Sequence, residues 1–540
     1  MTRFRSLLCC FIMSAASLNA QTPKPKLVVG LVIDQMRWDY LYRYNALYRP
    51  DGFKRLLGQG FSCENTLIPY VPTYTAVGHT CVYTGSVPSI MGIVGNNWYE
   101  KSIGRNVYCT DDSTVTSVGG SGGPGKMSPK NMWVTTVTDE LRLSNNFKSK
   151  VIGIALKDRG AILPAGHSAN AAYWYDAGKW ITSTHYMTEL PAWVSQFNSR
   201  DLAGKYMSQD WNTLMPMDKY DLSTSDDKPY ENTIKGETSP VFPHRLSAIK
   251  QSDKYEAFRT TPFANSFTFE FAKAAIDNEK LGSNTVTDFL TVSISSTDYV
   301  GHTFGPNSVE TEDTYLRLDK DIADFLTYLD TKIGKGNYLL FLTADHGAAH
   351  VPGFLAEHKI PGGTFMDDEF LKEINKAVEE NFGYTKAILN LQNYQVYLDI
   401  DGMEKAGKDV EAIKKLVMRI LRSKPFITNV FETNKIGTAA LPEPINKMVS
   451  NGYNAKRSGD IMFLLKPGYF DTWGSGKGTT HGLWNPYDAH IPLLWFGWGI
   501  KPGKLNRETY MTDIAPTVAA MLQIQMPSGN VGKVITEVMK

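Results

Sequence analysis

The chain carries almost no net charge: 56 Lys and Arg against 55 Asp and Glu leave +1 over 540 residues. That balance removes the electrostatic case for a nucleic-acid partner or an acidic membrane surface. Long apolar runs are missing too. The stretch Leu7 to Ala16 is too short to span a bilayer, which takes about 20 residues. With Arg3 and Arg5 before it and Leu18, Asn19 and Ala20 after it, this stretch reads as an export signal. Residues 1–20 would be cleaved near Ala20, leaving a periplasmic or secreted protein. Cys9 and Cys10 lack the small residue expected before a lipidated cysteine. Cysteine is scarce, and cleavage leaves Cys63, Cys81 and Cys109, which permit at most one bridge. No internal repeat is apparent.

What remains is a soluble globular composition, 42% hydrophobic and 21% charged, in which apolar strands alternate with helical patterns. This alternation predicts an α/β fold with a mostly parallel central sheet covered by helices on both faces. The clearest helix is Asp313 to Asp330, where Leu318, Ile322, Phe325 and Leu329 recur at helical spacing. Ile491 to Ile500 reads as a buried strand and Asp513 to Leu522 as a closing helix capped near Thr512.

Three apolar strands end on metal-ligating side chains. Lys26 to Met36 (KLVVGLVIDQM) delivers Asp34, Asp288 to His302 (DFLTVSISSTDYVGH) delivers Asp298 and His302, and Asn337 to Gly347 (NYLLFLTADHG) delivers Asp345 and His346. Strand ends are where α/β proteins build their sites. With a late His481 the set looks bimetallic, and imidazole nitrogen with carboxylate oxygen suits zinc. Two metals about 4 Å apart can clamp the attacking and leaving oxygens of an in-line displacement at phosphorus. Because these residues run from Asp34 to His481, one catalytic domain must span 21–540, with insertions at about 161–263 and 351–480.

A nucleophile is expected in Pro72 to His79 (PTYTAVGH), where Thr75 precedes a helical pattern, Ala76 to Tyr83, whose first N–H groups would face an anion. Thr75 could instead be only the cap of that helix. No Ser/His/Asp arrangement surrounds it, so activation falls to a metal, with His79 as the weaker alternative. A further short strand, Lys150 to Leu156, ends on LKDRG, which projects Lys157 and Arg159 to the same rim; Arg offers a planar fork to phosphate and Lys a point charge.

Two motifs mislead. Gly120 to Met127 (GSGGPGKM) nearly matches a phosphate-binding loop, but Met127 replaces the magnesium-binding hydroxyl residue and Pro129 obstructs the next helix. His346 to His350 has the spacing of a zinc-protease helix, yet Gly347 stands where the general-base Glu belongs, leaving His350 and His358 to supporting roles.

Together these residues resemble the alkaline phosphatase superfamily, specifically its secreted bacterial members of the PafA type with a threonine nucleophile, over essentially the whole mature chain. The resemblance implies two Zn2+ per chain: Asp298, His302 and His481 on one, and Asp34, Asp345, His346 and the Thr75 oxygen on the other. It implies that Asn96, Lys157 and Arg159 bind non-bridging phosphoryl oxygens. No clear third site, as in the serine-nucleophile branch with its magnesium, is seen. The expected activity is phosphate monoester hydrolysis through a covalent phosphothreonine, by a monomer with small-molecule substrates, no nucleic-acid partner and no membrane span. Alternatives are a phosphodiesterase or nucleotide pyrophosphatase of the same superfamily, or a non-catalytic zinc-dependent phosphate or glycan binder.

Overall fold

A computed structural model describes residues 24–472 and 476–539; the expected export signal lies outside the described residues. Ten strands form the main sheet: β1 (Leu27–Ile33), β2 (Phe61–Cys63), β3 (Ser117–Val118), β4 (Val151–Ala155), β5 (Ala171–Asp176), β6 (Lys179–Ser183), β7 (Asp288–Ile294), β8 (Tyr338–Thr343), β9 (Leu493–Gly497) and β10 (Gly503–Leu505). Their order is β10-β2-β9-β8-β1-β7-β4-β5-β6-β3. The five central strands, β8 to β5, are parallel. Antiparallel β9 and β6 extend the two flanks, so the sheet is mixed, with the expected parallel run at its centre. Buried on both faces, β1 (LVVGLVI) is an apolar run throughout and β8 (YLLFLT) nearly so, while β7 (DFLTVSI) is buried with Asp288, Thr291 and Ser293 within it.

Register sets the site. Ile33 lies level with Ile294, Val32 with Thr343, and Ser293 with Ala155. The residues that follow β1, β7, β8 and β4 therefore emerge side by side at one edge of the sheet.

Six helices matter here: α1 (Thr75–Thr84), α2 (Asp158–Ala165), α3 (Phe263–Glu279), α4 (Ser296–Phe304), α5 (Val309–Leu329) and α6 (Ile514–Leu522). Every residue of α1 is buried. Its polar groups are absorbed internally, Thr80 Oγ1 donating to the Ala76 carbonyl at 2.6 Å and Thr84 Oγ1 to that of Thr80 at 2.7 Å. Gly78 lets α1 close on the end of β8, for a β-carbon there would meet the Asp345 carbonyl oxygen at 2.4 Å. The helix α5 begins four residues before the predicted Asp313, because Ser308 caps it by accepting from the Thr311 N–H.

Residues 171–183 supply β5 and β6 to the main sheet, and the aromatic run Ala172 to Tyr175 is buried within β5. Farther along, strands 388–392, 395–398, 427–432 and 461–465 form a separate sheet. Helices Asp367–Phe382 and Val410–Arg422 share with it a hydrophobic cluster distinct from the main core.

Candidate active site

The level strand ends bring Asp34, Asp298, Asp345 and His346 together, and the segment before β9 adds His481. All five are buried; His302, one turn beyond Asp298 on α4, is partly open. Asp298, His302 and His481 each offer a ligand atom within 4.8 Å of the others, and so do Asp34, Asp345 and His346. Among the described residues no other group of three gathers so closely.

Each imidazole is held by its Nδ1. His302 Nδ1 lies 2.7 Å from the Thr479 carbonyl, His481 Nδ1 2.7 Å from that of Thr73, and His346 Nδ1 3.0 Å from that of Gly347. A carbonyl can only accept, so Nδ1 carries a proton in each ring; burial lowers the pKa of His346 and His481, whose Nε2 then presents its lone pair, whereas in His302 Asp298 outweighs burial and raises it. Those Nε2 atoms face the carboxylates: His302 is 3.1 Å and His481 3.8 Å from Asp298 Oδ1, and His346 is 3.4 Å from Asp345 Oδ2 and 3.6 Å from Asp34 Oδ1. The rings of His346 and His481 stack with centroids 3.4 Å apart.

Two of the three carboxylates meet one ammonium. Lys157 Nζ sits 2.7 Å from Asp34 Oδ2 and 2.5 Å from Asp298 Oδ2. Burial works against the Lys157 charge, but Asp298 and Asp34 outweigh it and hold its pKa above the ordinary lysine range. Burial, then Asp298 and Asp345, push Asp34 well above the carboxylate range, whereas in Asp298 burial is outweighed by His302 and Lys157, which keep it well below. Asp34 Oδ1 receives no hydrogen bond. Neither does Asp345 Oδ2, because His79 Nδ1, 3.2 Å away, lies 2.9 Å from the Thr75 carbonyl and donates there. Three buried carboxylates gathered in one place, orphaned carboxylate oxygens and the inward lone pairs of His346 and His481 fit divalent cations bound by nitrogen and oxygen.

Thr75 Oγ1 lies 3.4 Å from His346 Nε2, among the second ligand set. Thr75 is the first residue of α1 and not its cap, a position taken by Tyr74. The expected row of free N–H groups is altered, since Ala76 N–H donates to Asn96 Oδ1 at 2.9 Å. His79, its Nε2 engaged with Ser293 Oγ at 2.8 Å, contacts the Thr75 carbonyl and not the hydroxyl. Lys157 caps α2 and enters the cluster, while Arg159, two residues on, donates to Tyr108 OH at 3.0 Å, a phenol also held by Asp158. The pair shares one wall but is not equivalent.

Gln35 was not foreseen, although its place directly after Asp34 was a signal; nor were the carbonyls of Thr73 and Thr479, which no side-chain pattern reveals. The misleading motifs dissolve: His346 to His350 is not helical, and Gly123–Gly125 is a single 3-10 turn with no helix after it. Cys63, Cys81 and Cys109 are free and buried.

Residues 28–486 match the family model of type I phosphodiesterase / nucleotide pyrophosphatase. The chain is 55% identical to alkaline phosphatase PhoV of Synechococcus elongatus, covering 96% of this chain and 93% of the relative. It is 52% identical to alkaline phosphatase PafA of Elizabethkingia meningoseptica, covering 98% and 96%. A crystal structure of wild-type alkaline phosphatase PafA superposes with a TM-score of 0.94, covering 97% of this chain and all of that one, and another PafA structure carries substitutions at one threonine, one asparagine, one lysine and one arginine. A Myroides odoratus relative, 53% identical over 98% of this chain and 97% of its own length, is named a calcium-transporting ATPase.

Proposed function

The chain belongs to the type I phosphodiesterase / nucleotide pyrophosphatase family and, within it, to the PafA-type alkaline phosphatases, and from that premise we propose a two-zinc phosphate monoesterase acting through phosphothreonine. The observation that carries it is the placement of the Thr75 hydroxyl, 3.4 Å from His346 Nε2, beside ligand sets whose three imidazoles all anchor Nδ1 on a backbone carbonyl and turn Nε2 inward. Asp298, His302 and His481 would hold one zinc, and Asp34, Asp345 and His346 the other. When bound, the pair would supply charge for the phosphoryl oxygens and lower the pKa of a hydroxyl or water from about 15.7 towards 7.

Thr75 Oγ1 bonds to phosphorus as the ester P–O bond breaks, its proton passing to solvent while the departing alcohol takes one up. Water then cleaves the phosphothreonine, restoring the hydroxyl and releasing inorganic phosphate. Asn96, its oxygen engaged by Ala76 N–H, would turn its NH2 group to a phosphoryl oxygen, and Lys157 and Arg159 would take another. The four residue types substituted in the PafA variant are those of Thr75, Asn96, Lys157 and Arg159, which supports this assignment. A monoester offers a third non-bridging oxygen and one more charge than a diester, so the two cations favour monoesters in the transition state.

The name of the Myroides relative concerns transport; no observation of this site favours it, and among the described residues no helix is long and apolar enough to cross a membrane. The charged, apolar and small-residue pattern of residues 1–20 supports action outside the cytoplasm.

Turnover of p-nitrophenyl phosphate by the wild type, with Thr75→Ala losing orders of magnitude and Thr75→Ser retaining far more, is the expected result. Quenched reactions should carry phosphate on Thr75. Normal turnover by Thr75→Ala with no labelled residue would replace the covalent step with direct attack by water.

A further inference from the structure

Gln35 follows Asp34 directly and is 3% exposed. It adopts the left-handed backbone conformation, φ 62°, which a residue other than glycine, asparagine or aspartate takes at a cost of about 1 kcal/mol or more. The strain has a visible result, because this turn aims both of its donors at metal-ligand carboxylates. The backbone N–H donates to Asp345 Oδ1 at 3.1 Å, and the side-chain Nε2 donates to Asp298 Oδ1 at 2.8 Å. One residue therefore grips a carboxylate from each of the two ligand sets. The side chain is held in place by α4, where Gly301 has no β-carbon; one built there would lie 1.9 Å from Gln35 Oε1.

We infer that Gln35 is a positioning residue that fixes Asp298 within the first ligand set through its amide, and registers that set against Asp345 through its backbone. The inference rests on the two-zinc reading. Asp298 Oδ1 is the oxygen that faces His302 and His481, while Asp298 Oδ2 is committed to Lys157. A carboxylate free to rotate would lose that division. Outer partners of this kind typically contribute 10- to 100-fold to metal affinity.

The two donors can be separated. Gln35→Gly keeps the left-handed turn and the N–H to Asp345 but deletes the amide; Gln35→Asn tolerates the same backbone and cannot reach as far, a second route should glycine fold poorly. Gln35→Glu keeps the length but sets an acceptor against Asp298. Zinc content after dialysis against graded chelator is the readout, with the melting temperature as a check on folding. In wild type two zinc ions should remain; fewer than two would count against the two-zinc reading itself. In Gln35→Gly one ion should dissociate 10- to 100-fold more readily while the other is unchanged, and Gln35→Glu should lose the first ion more completely. Combined with His302→Ala, which removes the first set, Gln35→Gly should have no further effect on the ion that remains. Wild-type retention of both ions in Gln35→Gly and Gln35→Asn, or equal weakening of both, would overturn the inference while leaving the two-zinc reading intact.

Discussion

Around the start of α5, buried Glu231 and Glu310 and half-buried Asp226 and Glu237 surround a buried His244, so that carboxylates and an imidazole are packed together as they are at the strand ends. The two clusters differ in what the second ring nitrogen does. His244 directs both nitrogens at carboxylates, Nδ1 to Glu237 Oε2 at 2.8 Å and Nε2 towards Glu310 Oε1 at 3.4 Å. Burial alone would lower its pKa, but Glu237 and Glu310 raise it to about 9, so the ring is an imidazolium that neutralises the acids around it. At the strand ends all three imidazoles spend Nδ1 on backbone carbonyls, and burial lowers the pKa of His346 and His481 so that their Nε2 stays a lone pair; only His302, beside Asp298, is raised. A count of acids and histidines cannot tell a metal centre from an internal ion pair. The acceptor on the far side of each ring can.

The sharpest way to break this contrast is to damage each cluster in turn. Asp345→Ala or His346→Ala should strip zinc and depress kcat/KM by more than the 10- to 100-fold typical of outer-sphere changes. His244→Gln should leave zinc content at the wild-type value, whatever it does to stability. Metal analysis of the purified variants decides it, and zinc lost equally from both kinds would erase the distinction.

A smaller effect is expected from the cations of the strand-end cluster. Replacing Lys157 and Arg159 together should depress monoester hydrolysis far more than residual diester hydrolysis, since each charge-assisted contact contributes about 1.5–3 kcal/mol, roughly one to two factors of ten. The two are not interchangeable in this structure: Lys157 also compensates Asp34 and Asp298, whereas Arg159 reaches no ligand and bonds to Tyr108. Lys157→Ala alone should therefore also change metal retention, and Arg159→Ala alone should not. The ratio of kcat/KM for p-nitrophenyl phosphate and bis-p-nitrophenyl phosphate gives the first comparison. A double variant that loses both activities equally would move the chain to the diesterase reading.

The gathering of these side chains was legible because strand and candidate ligand are adjacent in sequence: an apolar run followed at once by Asp34, or by Asp345 and His346, announces both the strand and where its end points. Parallel register then does the rest, as Ile33 falls level with Ile294. The antiparallel flanks were not legible, because Leu493–Gly497 reads as a buried strand whichever way it runs. The bond from Ala76 N–H to Asn96 and the two grips of Gln35 were hidden for a different reason, since each joins a backbone group or a left-handed turn to a side chain far away in sequence. The His244 cluster gave no signal at all: its acids come from Asp226, Glu231, Glu237 and Glu310, with no common spacing and no strand end to mark them.

The smallest expected effect lies in that second cluster and concerns pH. Burial, reinforced by Glu310 and Asp226 and only partly offset by Lys228, raises the pKa of Glu231 from 4.5 to about 9. In the folded protein Glu231 therefore keeps its proton until about pH 9, whereas the unfolded chain releases it near 4.5. Between those values the unfolded state binds fewer protons, so stability falls as pH rises, and the loss is complete only above the folded pKa. His244, raised from 6.5 to about 9, acts in the same direction: its stabilisation is full below 6.5 and lost as pH passes 9. Glutamine resembles the protonated Glu231 and cannot ionise. Glu231→Gln should match the wild type near pH 5 and exceed it near pH 9, with a melting-temperature difference of about 1–3 °C that grows across the interval. Zinc content should stay constant in both proteins, which separates this titration from anything at the strand ends. Thermal melts at pH 5, 7 and 9 make the test, and a variant that is less stable than wild type by the same amount at every pH would show that Glu231 is ionised in the fold and belongs to an ion pair.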